Sequence, residues 1–190
     1  MSIVIIFLIL VGLAIVFLIG IYNGLVQKKV ACEGAWSNIA VQLKRRHDLI
    51  PNLVETVKGY AKHEQGTLDA VIKARNSALT ASSSGSPATQ AVAEGALSGA
   101  LRGVFALSEA YPDLKANQNF LQLQGELAST ETMISSSREE YNQAVQLYNT
   151  AIQQVPGNLV AGYAGFNKKE FFELSEQEKA AAETAPKISF

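Results

Sequence analysis

A chain of 190 residues is long enough for one domain plus an anchor, and at 17% charged side chains it falls below the roughly 25% of an ordinary soluble protein. Its net charge of −1, with no basic patch carrying interleaved aromatics, argues against nucleic acid as a partner. A single cysteine, Cys32, excludes an intramolecular disulfide, so nothing requires an oxidising compartment; its own expected role is a small, half-buried helix residue.

The missing charge has one source. Ser2 to Gln27 contains no charged residue, and Ile3 to Val26 is almost continuously aliphatic. At about 1.5 Å per residue, a helix of that length exceeds the ~30 Å hydrocarbon core and spans it with some tilt. The run is longer than the h-region of a signal peptide, no basic residue precedes it and no small-x-small cleavage site follows, so residues 1–27 are read as a retained transmembrane anchor. Lys29, three before Cys32, argues against a lipid-acylation box. Gly12, Gly20 and Gly24 share one face of the anchor, the last two as a small-xxx-small pair that lets helices approach closely. Lys28 and Lys29 follow as a membrane-proximal basic pair, with Lys44, Arg45 and Arg46 shortly after, which places the body in the cytoplasm. Residues 28–62 carry seven basic and three acidic side chains, a net of +4, and residues 63–190 carry nine and fourteen, a net of −5. The membrane side of the body is basic and its far side acidic.

The body, residues 28–157, reads as an antiparallel, four-helix type of bundle entered by a stiff continuation of the anchor. Trp36, Ile39, Leu43, His47, Ile50, Val54, Val57 and Ala61 recur at steps of three and four on an inward face. Lys44, Arg45, Arg46, Asp48, Glu55, Lys58 and Lys62 occupy the opposite, outward one. Pro51 leaves two outcomes, a kink with the helix continuing or a tight turn with Pro51 opening a second helix. Unbroken apolar phase from Leu43 through Ile50 to Val57 favours continuation. Leu68, Val71, Ile72, Arg75 and Leu79 mark the next helix, and the Ser/Gly/Pro cluster at 81–87 the clearest loop. A helix from about Ala88 to Glu109 follows, made of small and apolar residues and weakened by its glycines. Tyr111-Pro112-Asp113 closes it.

A last long helix, about Leu114 to Val155, carries a seam at intervals of seven: Phe120, Leu127, Ile134, Tyr141, Tyr148 and Val155. Its companion stripe is mixed, with Gln124, Glu131 and Arg138, so polar contacts are expected in the middle of the bundle, Glu131 and Arg138 either pairing with other helices or edging out to water. Tyr141-Asn142 and Tyr148-Asn149 repeat a dipeptide that packing plus amide hydrogen bonding explains. Residues 158–190 change character. Phe166, Phe171 and Phe172 are expected to pack at the membrane-proximal end of the bundle or against a neighbouring subunit, since free tails rarely carry such groups. The acidic, alanine-rich stretch from Ser175 reads as a short helix and a loose end.

The sequence carries no glycine-rich phosphate loop, GxSxG or CxxC. His63-Glu64 begins like a zinc-protease helix, but Thr67 stands where the second histidine belongs. With only His47 and His63 a di-iron bundle site cannot be assembled. No catalytic residue, metal site or cofactor is expected.

The strings VQLKRRHDLIPNLVETVKGYAKHE from Val41, YPDLKAN from Tyr111 and REEYNQAVQLYNTAI from Arg138, with the apolar N-terminus and the terminal Gly-Phe and Phe-Phe pairs, resemble the LemA family of bacterial membrane-anchored helical proteins. The resemblance covers nearly the whole chain. It implies an all-α fold at the bacterial inner membrane and brings no catalytic residues. It also includes relatives implicated in building intracellular membrane compartments, and it suggests envelope-stress or membrane-protease partners. Two functions follow as expectations: a non-enzymatic scaffold that forms homo-oligomers and organises or shapes the bilayer, or an adaptor for another membrane protein.

Overall fold

The computed structural model describes residues 1–61 and 63–173, and every regular element among them is helical. Lys62, expected on the outward face, and the short helix expected beyond Ser175 lie outside the described residues. The elements are α1 (Ser2–Lys58), α2 (Gln65–Ser84), α3 (Pro87–Ser108), α4 (Pro112–Lys115), α5 (Gln118–Ala151) and α6 (Gly157–Ala164). They form two compact units, the first made of Met1–Asn38 and Glu139–Lys169, the second of Ile39–Arg138 and the residues from Glu170.

α1 is a single helix of 57 residues, about 85 Å long. The apolar run continues into the rest of α1 without a break, and the helix continues through Pro51; the chain turns at Gly59. A proline removes the donor that would serve the carbonyl four residues earlier, here that of His47. Arg75 of α2 replaces it, its Nε donating to the His47 carbonyl at 2.8 Å. The apolar phase chose continuation, and one guanidinium repairs the hydrogen-bond ladder.

In the second unit, the end of α1, α2, α3 and the start of α5 wrap one core. Ile50, Leu53, Val54 and Val57 meet Leu68, Val71 and Ala78, Leu97, Leu101 and Val104, Leu114, and Phe120 and Leu127. Short connections at 59–64 and 85–86 set successive helices antiparallel. The loop expected at 81–87 is shorter than its composition implies. α2 continues to Ser84 because Thr80 and Ser83 return their hydroxyls to the carbonyls of Asn76 and Thr80, so they do not compete with the helix. Ser86 then caps α3 through Thr89 N–H, with Pro87 in the first turn. Leu79 faces outward and Ala78 takes the core position.

The final helix is also shorter than its heptads imply. Asn117 starts α5 by accepting the Phe120 N–H at 3.0 Å, leaving Pro112–Lys115 as a separate turn. The helix ends at Ala151, and Val155, last of the series of seven, is 78% exposed. The first unit joins the first two thirds of α1, the end of α5 and α6, around buried Leu25, Cys32, Tyr141, Val145, Tyr148, Ile152 and Ala161. Cys32 is fully buried rather than half-buried.

Candidate functional site

Two places concentrate side chains that packing alone does not explain. One is the apolar end of the first unit, and the other a buried ion cluster in the second.

From Met1 to Ile19 nearly every large apolar side chain of α1 is exposed, and none of its most hydropathic stretch is buried. Gly12 and Gly20 are exposed and Gly24 is half-buried, and a Cβ at any of them would meet nothing within 4 Å. Lys28 and Lys29 are exposed. Against the Ile15–Tyr22 stretch lies α6, its Leu159, Val160, Tyr163 and Ala164 sharing a groove of about 540 Å³ with Ile15, Leu18, Ile19 and Tyr22.

Two glycines fix α6. At Gly157 a Cβ would collide with the Ala151 carbonyl oxygen, so only glycine lets the chain double back onto the end of α5. Gly165, at φ +73°, ends the helix in the left-handed region and delivers Phe166 edge-on to Tyr22, ring centroids 5.6 Å apart. The chain beyond is tied to α5. Tyr148 Oη donates to the Asn167 carbonyl at 2.9 Å, and Asn149 both donates to the Lys169 carbonyl and accepts its N–H, each at 2.9 Å. Lys169 in turn approaches Glu33 at 3.5 Å. The second Tyr-Asn dipeptide is therefore an intrachain clamp. Tyr141 of the first packs on Trp36 at 5.2 Å, and Trp36 is half-buried.

The ion cluster corrects one expectation. Arg46, assigned to the outward face, is buried along with His47. Glu94 of α3 draws both in: His47 Nε2 lies 2.8 Å from its Oε1, and Arg46 Nη1 3.7 Å from its Oε2. Arg46 also reaches Glu131 of α5 at 3.0 Å and donates to Ser98 Oγ. Glu131, 52% exposed, thus pairs across the bundle at the mixed stripe of the seam. Arg138 instead stacks its guanidinium 5.2 Å from the ring centroid of Phe172. Glu94 was missed by sequence reasoning, although a signal existed: it and Arg102 are the only charges in α3.

The remaining predicted positions fall as follows. Leu43, Ile50, Val54, Val57, Phe120, Leu127, Ile134, Tyr141 and Tyr148 are buried. Phe166 is half-buried in the first unit, Phe172 is buried in the second, and Phe171 is 37% exposed. Among the described residues no group of three or more His, Cys, Asp or Glu is placed to hold a metal.

A long helix bare over its apolar half and continuous with the wall of a helical bundle defines a membrane-associated, all-helical protein. The chain belongs to the LemA family, whose model matches residues 35–190. It is 27% identical over 187 residues to magnetosome protein MamQ 2 of Paramagnetospirillum magneticum, and 26% identical over the same length to magnetosome protein MamQ of Magnetospirillum gryphiswaldense. In both cases 86% of this chain and 67% of the relative are covered. Protein LemA of Metamycoplasma hominis is 26% identical over 180 residues, covering 94% of this chain and 81% of that one.

Proposed function

We propose that this protein is a non-enzymatic scaffold, anchored in the bacterial inner membrane by residues 1–27 with its bundle in the cytoplasm, that self-assembles through its anchor and organises or shapes the bilayer. The observation that carries the reading is the unbroken α1. A helix that is bare over its apolar half and forms a bundle wall over the other half transmits any lateral order of the anchors directly to the bodies. The glycine face supports self-association. At about 100° per residue, Gly20 and Gly24 point away from the side of α1 on which α6 lies, and among the described residues nothing would meet a Cβ within 4 Å at Gly12, Gly20 or Gly24. Relatives named as magnetosome proteins support a membrane-associated role.

The test is the mass of the full-length protein in mild detergent, beside a Gly20→Leu/Gly24→Leu variant. A uniform oligomer that dissociates in the variant is expected. Monomers in both preparations would overturn the scaffold and leave the adaptor reading, in which size increases only with a partner.

A further inference from the structure

We propose that α6 is a second membrane-seated element, a short helix lying in the acyl-chain and headgroup boundary of the leaflet on the side of the bundle. The proposal rests on reading α1 as a membrane span, and it deepens that reading.

Its position on α1 sets its depth. From Ile3 to Tyr22 the helix rises about 29 Å, close to the ~30 Å hydrocarbon thickness. α6 shares its groove with Ile15 to Tyr22, the last ~10 Å of that rise, and amphipathic interfacial helices bury to about 5–10 Å. Apart from Asn158, its exposed side chains are apolar or aromatic where a soluble protein would be polar. Leu159 and Tyr163, one turn apart, are 69% and 98% exposed, and Val155 precedes them. No charged side chain occurs between Glu140 and Lys168, so no charge in α6 or in the chain on either side of it opposes burial in lipid.

The polar groups are placed as a bilayer requires. At the start of α6 Asn158 N–H donates to the Gln154 carbonyl and Leu159 N–H to that of Pro156, and after its end Phe166 N–H donates to the Ala161 carbonyl, so these donors do not depend on water. Tyr22, Tyr163 and Phe166 are aromatics of the type that gathers at headgroup level, and the lysines, Lys28 and Lys29 on α1 and Lys168 and Lys169 after α6, follow them in the chain. The occupant that fits this continuous apolar surface is phospholipid, because the surface is an extension of the one that the span already presents. A helix inserted into one leaflet alone also widens that leaflet relative to the other.

Nitroxide labels at Leu159→Cys and Tyr163→Cys, in a full-length Cys32→Ala background reconstituted into phosphatidylethanolamine/phosphatidylglycerol vesicles, test this directly. Labels at Leu8→Cys in the span and Asp69→Cys on the body serve as references, and collision with oxygen and with a water-soluble nickel chelate is measured. At positions 159 and 163 oxygen access should exceed chelate access, as at position 8, with a depth of about 5–10 Å below the phosphates. Chelate access matching position 69, while position 8 stays in lipid, would overturn the proposal and leave the span intact. Chelate access at position 8 as well would remove the span and the proposal together. Exclusion of both reagents from 159 and 163 would assign the surface to a second copy of the chain and likewise overturn it.

Discussion

Arg46, His47, Glu94 and Arg75 show how a few polar side chains are held inside a helical bundle. Each satisfies a specific demand: Arg75 serves the carbonyl orphaned by Pro51, and Glu94 answers two adjacent cationic or hydrogen-bonding groups on α1. Arg75→Met should therefore destabilise the protein by about 2 kcal/mol, since a buried carbonyl loses a charged donor. Pro51→Ala, which restores the missing N–H, should recover much of that loss in the double mutant, and additive effects in denaturant titrations would contradict the repair. Glu94→Ala should cost about 3 kcal/mol, because it leaves the buried Arg46 with Ser98 and the half-exposed carboxylate of Glu131 in place of a buried one. The exposed Lys44–Asp48 pair at 2.6 Å is the contrast. Lys44 holds the Asp48 carboxyl below its usual range, yet Asp48→Asn should leave stability nearly unchanged, since water screens the pair. Burial raises the Cys32 thiol above its usual range, against the pull of Lys169. The fold therefore favours the protonated thiol, and the associated stability, complete below the unfolded thiol's pKa, is lost as pH rises through the folded one. Alkylation of the native protein at pH 8 should be at least an order of magnitude slower than that of the denatured chain; equal rates would mean that Cys32 is open.

At the level of elements, α6 and its strap depend on features that hydrophobic periodicity does not register. Gly157→Ala forces a Cβ onto the Ala151 carbonyl, and Gly165→Ala places a side chain at φ +73°. Either should loosen α6 and raise hydrogen exchange across residues 157–164 while leaving exchange in α2 and α3 unchanged. Loss of protection throughout the chain would instead make α6 a keystone of the whole fold. The inward stripe of α1 was legible from steps of three and four, because burial of one helix face imposes that spacing wherever the partner lies. Helix ends were less legible. Asn117 stops and restarts a helix inside an uninterrupted heptad pattern, and Thr80 and Ser83 keep helical a stretch whose composition reads as loop. Capping and back-bonding are decided by one hydrogen bond each, which composition averages away.

For the molecule as a whole, charge distribution and the continuous α1 carry the argument. Residues 28–62 are net positive and the remainder net negative, and the basic residues closest to the span follow it. A C-terminal reporter that matures only in the cytoplasm should therefore be active, and an inactive reporter in well-folded protein would reverse the orientation. The apolar half of α1, with its glycines and the neighbouring α6, is the place where the proposed assembly and lipid contact are to be sought.

The sequence by itself determined the helical class and the apolar segment long enough to span a bilayer, because each follows from composition or from the short-range repeat of a helix. Glu131 marked where polar contacts enter the bundle, since a charge within a seam must find a partner or water. Only the tertiary structure decided that Arg46 turns inward, that Glu94 is its partner, that Arg75 completes the ladder at Pro51, and that α6 lies against Ile15 to Tyr22. These are pairings between residues remote in the chain. Which pairing wins depends on the burial and hydrogen-bonding needs of both members, and neither member's local sequence contains the other.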